Sequence, residues 1–253
     1  MVLGHSFLCS GEMWAPQLPA LTASYRVVNV DYRGHGRSSR PDRPFDLYDL
    51  VDDVLAVLDE LSIGRAAWVG LSIGGMVALR AALAAPERVA GLVRLDTDAG
   101  AERRYERAKH RALAIGARLL GVRPFLPVVL PLFFGRSTLD TRRELVSDWG
   151  ERFTAMDPVA ISRTLTALNR RDSVADRLDA IQVPTAVVVG AEDRTLPVST
   201  ARRIADGIPG ASLTIVPEAG HLANLEQPER VTEVLLDALA RIFDRAGPGE
   251  GGP

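Results

Sequence analysis

The stretch Gly70-Leu71-Ser72-Ile73-Gly74 constrains this chain more than any other. Glycines two positions either side of a serine let a strand and a helix meet at a turn too tight for a Cβ. Before it, Ala66-Ala67-Trp68-Val69 is an uninterrupted apolar run, as in a strand covered on both faces. After it, Ile73, Met76, Val77 and Leu79 lead into an alanine-rich segment of good helix propensity that ends near Pro86. The pattern predicts strand, sharp turn and helix, with Ser72 projecting from a strained turn. Such a turn reads as a nucleophile elbow.

Strand and helix alternate along the rest of the chain. Further strands are predicted at Met1 to Gly4, Tyr25 to Asp31, Val89 to Leu95, Thr185 to Val189 and Ala211 to Val216. Helices are predicted at Met13 to Leu21, at Ser199 to Asp206, and over Leu47, Leu50, Val51, Val54, Leu55, Leu58 and Leu61, which recur at helical spacing. This order implies an α/β fold: a mostly parallel, doubly wound sheet with ligands at the carboxyl ends of its strands. Ala101 to Val174 carries helical patterns (Arg103 to Leu120, Leu139 to Phe153, Pro158 to Leu168) and no strand. That is too long for an ordinary crossover and reads as a helical cap. The expected organisation is a core of residues 1–100 and 176–245, a cap of 101–175, and a disordered Gly/Pro-rich tail of 246–253.

Composition excludes several classes. A net charge of −2 over 253 residues gives no reason to expect nucleic acid or an anionic membrane as partner. Cys9 is the single cysteine and no leader pattern precedes the first strand, so a cytoplasmic location is expected. The apolar run Phe125 to Phe134 is short and interrupted by Pro127 and Pro131, which argues against a membrane span. His5, His35, His110 and His221 are scattered, so no metal site is expected. Gly70 to Gly75 fits neither the dinucleotide nor the Walker pattern, and the sole lysine, Lys109, sits in a charged helix. No cofactor is expected.

A serine hydroxyl needs a base within reach, and that base needs a partner to fix its tautomer. His110 lies in a charged cap helix, His35 in the Arg33-Gly34-His35-Gly36 loop, and His5 directly after the first strand, where it shapes the site. His221 follows the last strand through Pro217-Glu218-Ala219-Gly220 and is the expected general base. Asp193, in Gly190-Ala191-Glu192-Asp193, is the expected orienting acid; Asp96 and Asp98 after Val89 to Leu95 are the alternatives, and Glu192 is expected in solvent. Backbone amides of Phe7 and Ile73 are the expected oxyanion donors. In the cap, Trp149 and Phe153 line the pocket or pack the cap, and Trp149 is the candidate substrate contact. Arg103, Arg104, Arg107, Arg118, Arg123, Arg142 and Arg143 either meet a carboxylate substrate or form a solvated face, the latter being favoured.

Together, His5-Ser6-Phe7, Asp31-Tyr32-Arg33-Gly34-His35-Gly36-Arg37-Ser38, Gly70-Leu71-Ser72-Ile73-Gly74-Gly75, Gly190-Ala191-Glu192-Asp193 and Gly220-His221-Leu222 resemble the α/β-hydrolase superfamily from Met1 to about Phe243. Gly-Leu-Ser-Ile-Gly-Gly-Met and His221-Leu222-Ala223-Asn224-Leu225-Glu226-Gln227-Pro228 are most similar to the 3-oxoadipate enol-lactonase group and its esterase-like neighbours. Ser6 replaces the glycine usual in the first loop, as enol-lactonases tend to have it. Members usually carry two further strands before the one at Met1 to Gly4. Their absence implies either a start site upstream of Met1, which is favoured, or a lost antiparallel edge that leaves Val27 to Asp31 exposed. The resemblance implies a cofactor-free serine hydrolase acting on a small-molecule ester or lactone. Serine at the elbow speaks against the carboxylate-nucleophile branches. Rival readings keep the same triad for carbon–carbon hydrolysis or perhydrolysis, or make the fold a small-molecule receptor.

Overall fold

The computed structural model describes residues 1–245, so the expected tail, 246–253, lies outside the described residues. Six strands form one sheet: β1 (Val2–Gly4), β2 (Val28–Val30), β3 (Ala66–Leu71), β4 (Val89–Leu95), β5 (Thr185–Gly190) and β6 (Ser212–Val216). Their order is β2-β1-β3-β4-β5-β6, and every neighbouring pair is parallel. Every residue of β3, β4 and β5 is buried, as continuous apolar runs require in a sheet covered on both sides. The chain runs outward from β1 to β2, then returns to β3 on the other flank of β1. Strand order therefore reverses between β1 and β3, which opens a crevice at their carboxyl ends. Gly4 and Gly70 stand level there.

Eleven α-helices are described: α1 (Leu18–Thr22), α2 (Leu47–Glu60), α3 (Ile73–Ala84), α4 (Arg104–Leu120), α5 (Leu126–Phe133), α6 (Arg136–Thr141), α7 (Arg143–Thr154), α8 (Pro158–Arg170), α9 (Val198–Gly207), α10 (Ala223–Glu226) and α11 (Pro228–Arg245). Alternate strand residues serve opposite faces. Val2, Trp68, Leu92 and Val187 pack with α2, α3 and α9, whereas Leu3, Val69, Val93 and Val188 pack with α11 and Leu21 of α1. Helix α2 starts in a capping box, in which Asp46 accepts from the Tyr48 and Asp49 amides and Asp49 accepts from the Asp46 amide. It buries Leu47, Leu50, Val51, Val54 and Leu58, the face that the spacing predicts. Helices α4 to α8 all fall between the neighbouring strands β4 and β5.

Local differences from the sequence reading have local causes. Met13 to Leu21 is not one helix: a 3₁₀ turn at Gly11–Trp14 and α1 are separated by Ala15-Pro16-Gln17, because proline brings no amide to carry a helix through. The second strand contracts from Tyr25–Asp31 to Val28–Val30, half-buried at the sheet edge. The run Phe125 to Phe134 contains helix α5, which tolerates Pro127 because first-turn amides have no helical acceptor. No described helix is long and apolar enough to cross a membrane.

Candidate active site

At the crevice, β3 turns into α3 through Ser72, whose φ of 55° and ψ of −113° lie where L-residues are strained. The turn is held from several sides. The Ser72 amide donates to Leu95 O at 2.9 Å, and Ser72 O accepts from Thr97 Oγ1 at 2.7 Å. The Gly74 amide donates to His5 O at 3.2 Å. A Cβ on Gly70 would overlap the Gly74 backbone, and one on Gly74 would overlap that of Gly4, so strand, helix and first loop converge only on glycine. Neither the Phe7 nor the Ile73 amide donates to an acceptor among the described residues. Both belong to the crevice, one after β1 and the other opening α3.

His221 and Asp193 meet across the loops after β6 and β5. Asp193 Oδ1 accepts from the amides of Thr195 and Leu196 at 2.8 and 2.9 Å, and Oδ2 lies 2.8 Å from His221 Nδ1. With the carboxylate as acceptor, Nδ1 carries the proton and Nε2 is left as the acceptor of the ring. Both side chains are buried, and the Phe133 ring stands edge-on to the imidazole, 5.8 Å away. The Ser72 hydroxyl makes no hydrogen bond among the described residues.

The alternative acids separate clearly. Asp98 accepts from the Gly100 amide at 3.1 Å and faces Arg171 Nη2 at 3.6 Å. Asp96, with a φ of 44°, is fully buried behind Asp193; its Oδ1 accepts from the Gly190 amide at 2.7 Å. Burial first, and then the Asp193 charge, hold its carboxyl well above the usual range, so it favours the neutral acid.

The remaining histidines have structural partners. His5 Nε2 accepts from the Tyr32 amide at 2.9 Å while Nδ1 donates to Ser6 O at 2.7 Å. His35 stacks 4.9 Å from His5 and holds Arg33 O with Nδ1, the loop-holding role expected of it. Burial depresses His5 to about 4 and His35 to about 3. His110, part-exposed on α4, lies 3.2 Å from Asn169 Oδ1 and 3.5 Å from Glu102 Oε2.

Glu192 is also not a solvated residue: it accepts from Ser137 N at 2.8 Å and Ser137 Oγ at 2.5 Å, because α6 folds over it. Trp149 is buried, packs 6.2 Å from Phe153, and lines a wide groove of about 960 Å³ with Leu8, Asp31 and Met156. Phe153 in turn meets Phe133, so a file of rings leads from Trp149 to His221. Of the arginines, Arg103, Arg107, Arg118, Arg123, Arg142 and Arg143 are exposed, and the Arg104 side chain lies outside the described part. Arg123 pairs with Glu151, and Arg142 binds the carbonyls of Leu225 and Glu226. A small apolar recess lies against Phe7, walled by Leu113, Ala117, Phe125, Val129 and Ile161. Sequence reasoning missed Phe133, Glu226 and this recess, because each depends on how the insertion folds back over the strand ends.

Comparison with known proteins agrees with this architecture. A model described as the alpha/beta hydrolase family matches residues 1–234. The chain is 28% identical to 3-oxoadipate enol-lactonase 2 of Acinetobacter baylyi over 96% of its own length and 89% of that protein. Among solved structures, it superposes on a thermophilic esterase from Thermogutta terrifontis with a TM-score of 0.91, at 28% identity over 95% of this chain and 89% of that one. A hydrolase from Pseudomonas aeruginosa gives 0.87 at 33% identity over 94% and 88%. With a six-stranded parallel sheet, an elbow at the strand-order reversal and this breadth of similarity, the chain belongs to the alpha/beta hydrolase family and is a hydrolase.

Proposed function

We propose that the protein is a cofactor-free serine hydrolase that cleaves a carboxylic ester or lactone of a small molecule through an acyl-enzyme. The observation that carries this reading is the buried 2.8 Å contact between His221 Nδ1 and Asp193 Oδ2, in a chain that also holds Ser72 on a strained strand-to-helix turn. Ser72 Oγ attacks the carbonyl as His221 Nε2 takes its proton. Asp193 holds the resulting imidazolium, and the Phe7 and Ile73 amides receive the oxyanion. His221 returns the proton to the leaving oxygen; water, activated by the same base, then releases the acid. Helices α4 to α8 act as a cap that shapes the substrate pocket, with Trp149 as a candidate contact on its groove side. The apolar recess at Phe7 supports an uncharged acyl group over a carboxylated one.

Hydrolysis of p-nitrophenyl acetate by wild type, reduced by about a thousandfold or more in Ser72→Ala with its circular dichroism unchanged, is the expected result. Full activity in Ser72→Ala would sink the reading. Absence of turnover across short esters, lactones and carboxylated enol-lactones, with saturable ligand binding instead, would move the protein to the receptor class.

A further inference from the structure

The loops that carry His221 and Asp193 meet directly, the Glu192 amide donating to Ala219 O at 2.8 Å, and both are also fastened to the insertion at its segment from Leu132 to Arg142. On the acid side, Thr195 Oγ1 donates to Leu132 O at 2.7 Å, and Glu192 takes both the amide and the hydroxyl of Ser137. On the base side, the Leu222 amide donates to Phe133 O at 3.0 Å, and Arg142 Nη1 donates to Leu225 O and Glu226 O at 3.1 and 2.8 Å. Between them sits the Glu226 carboxylate, 1% exposed. Its Oε1 accepts from the Gly220 amide at 2.9 Å and its Oε2 from the Gly135 amide at 2.8 Å. A Cβ on Gly220 would overlap the Gly135 backbone, so the two segments pack backbone against backbone there.

We propose that Glu226 is a positioning residue for His221. Its carboxylate grips the residue before the imidazole with one oxygen and the insertion with the other, and so locks the base loop to the same strap that holds the acid loop. This rests on the function proposed above. Glu226 has no place in the proton transfers; it acts through the backbone of Gly220. The strap also sets the Phe133 ring edge-on to the imidazole, 5.8 Å between centroids. General-base catalysis is steep in distance, and a displacement of about 1 Å can cost about a hundredfold in rate. Lock and loss should therefore appear in kcat.

The test uses the whole chain with p-nitrophenyl acetate. Glu226→Ala is expected to lower kcat about tenfold to a hundredfold with KM changed by less than about threefold. Glu226→Gln keeps one carbonyl acceptor and should fall between Glu226→Ala and wild type. The charged or titratable groups around His221 are Asp193 in contact, Asp96 behind Asp193, and Glu226 and Glu192 on either side of the strap. A loosened Asp193 contact destabilises the imidazolium, so the acid limb of kcat/KM should move to lower pH, further in Glu226→Ala than in Glu226→Gln. If Glu226→Ala does not fold, Glu226→Gln is decisive by itself, through a partial fall in kcat together with the shifted limb. A folded variant with wild-type kcat and limb overturns the proposal, as does a loss of rate that only tracks the folded fraction. Retained activity in Ser72→Ala would instead remove the underlying reading, which keeps the two failures distinct.

Discussion

Asp96 shows how two carboxylates at adjacent strand ends acquire different surroundings. Asp193 takes two backbone amides and an imidazole. Asp96 has a single amide on Oδ1, and its Oδ2 lacks a partner among the described residues. Because burial raises Asp96 above its unfolded value, the folded protein retains a proton that the unfolded chain releases. Stability from this site is therefore present at acid pH and lost as pH rises from about 4 through the raised folded value. Asp96→Asn, a neutral isostere, should flatten that slope and be more stable than wild type at pH 8, as read by urea midpoints from pH 5 to 9. A midpoint at pH 8 below that of wild type would contradict it. In the sequence, Asp193 and Asp96 were both legible as acids after a strand. What could not be read was which one the imidazole reaches, since that depends on the register of β4 against β5 and on the Pro217–Gly220 loop.

At the scale of elements, the buried strands and α2 follow from local pattern, whereas β4 conceals a conflict. Arg94 is level with Gly70 and Val187 inside the sheet, is fully buried, and has no hydrogen-bond partner for any of its three nitrogens among the described residues. Burial lowers it to about 9, against the pull of Asp98. An isolated buried cation costs more than a hydrophobe of similar shape. Arg94→Met should raise stability by about 1–3 kcal/mol, seen as a higher urea midpoint with an unchanged slope; a lower midpoint would refute it. The insertion was legible as helical but not in its joints. The break at Arg142 between α6 and α7 answers to that residue's hydrogen bonds with Leu225 O and Glu226 O, not to periodicity.

At the scale of the whole molecule, two buried histidines act against the Asp96 trend and weaken the fold toward acid. His5 and His35 are buried as neutral rings, with folded values of about 4 and 3 against about 6.5 when unfolded. Below about pH 6.5 the unfolded chain takes up protons that the folded one refuses, so stability present above that pH is lost as pH falls toward 4. For His5 alone this amounts to about 3 kcal/mol. Thermal melts between pH 7.5 and 4.5 should show the fall, and His35→Asn should reduce it; a wild-type midpoint that does not change with pH would exclude this account. By itself, the sequence determined the alternation of elements, the glycine-framed turn at Ser72, and the order of serine, acid and histidine, because these depend on local sterics and on chain order. Only the tertiary structure decided that Asp96 stands behind Asp193, that Glu192 is covered by α6, and that Glu226 bridges Gly220 to Gly135. Those relations join residues up to about a hundred positions apart, and no local propensity reaches so far.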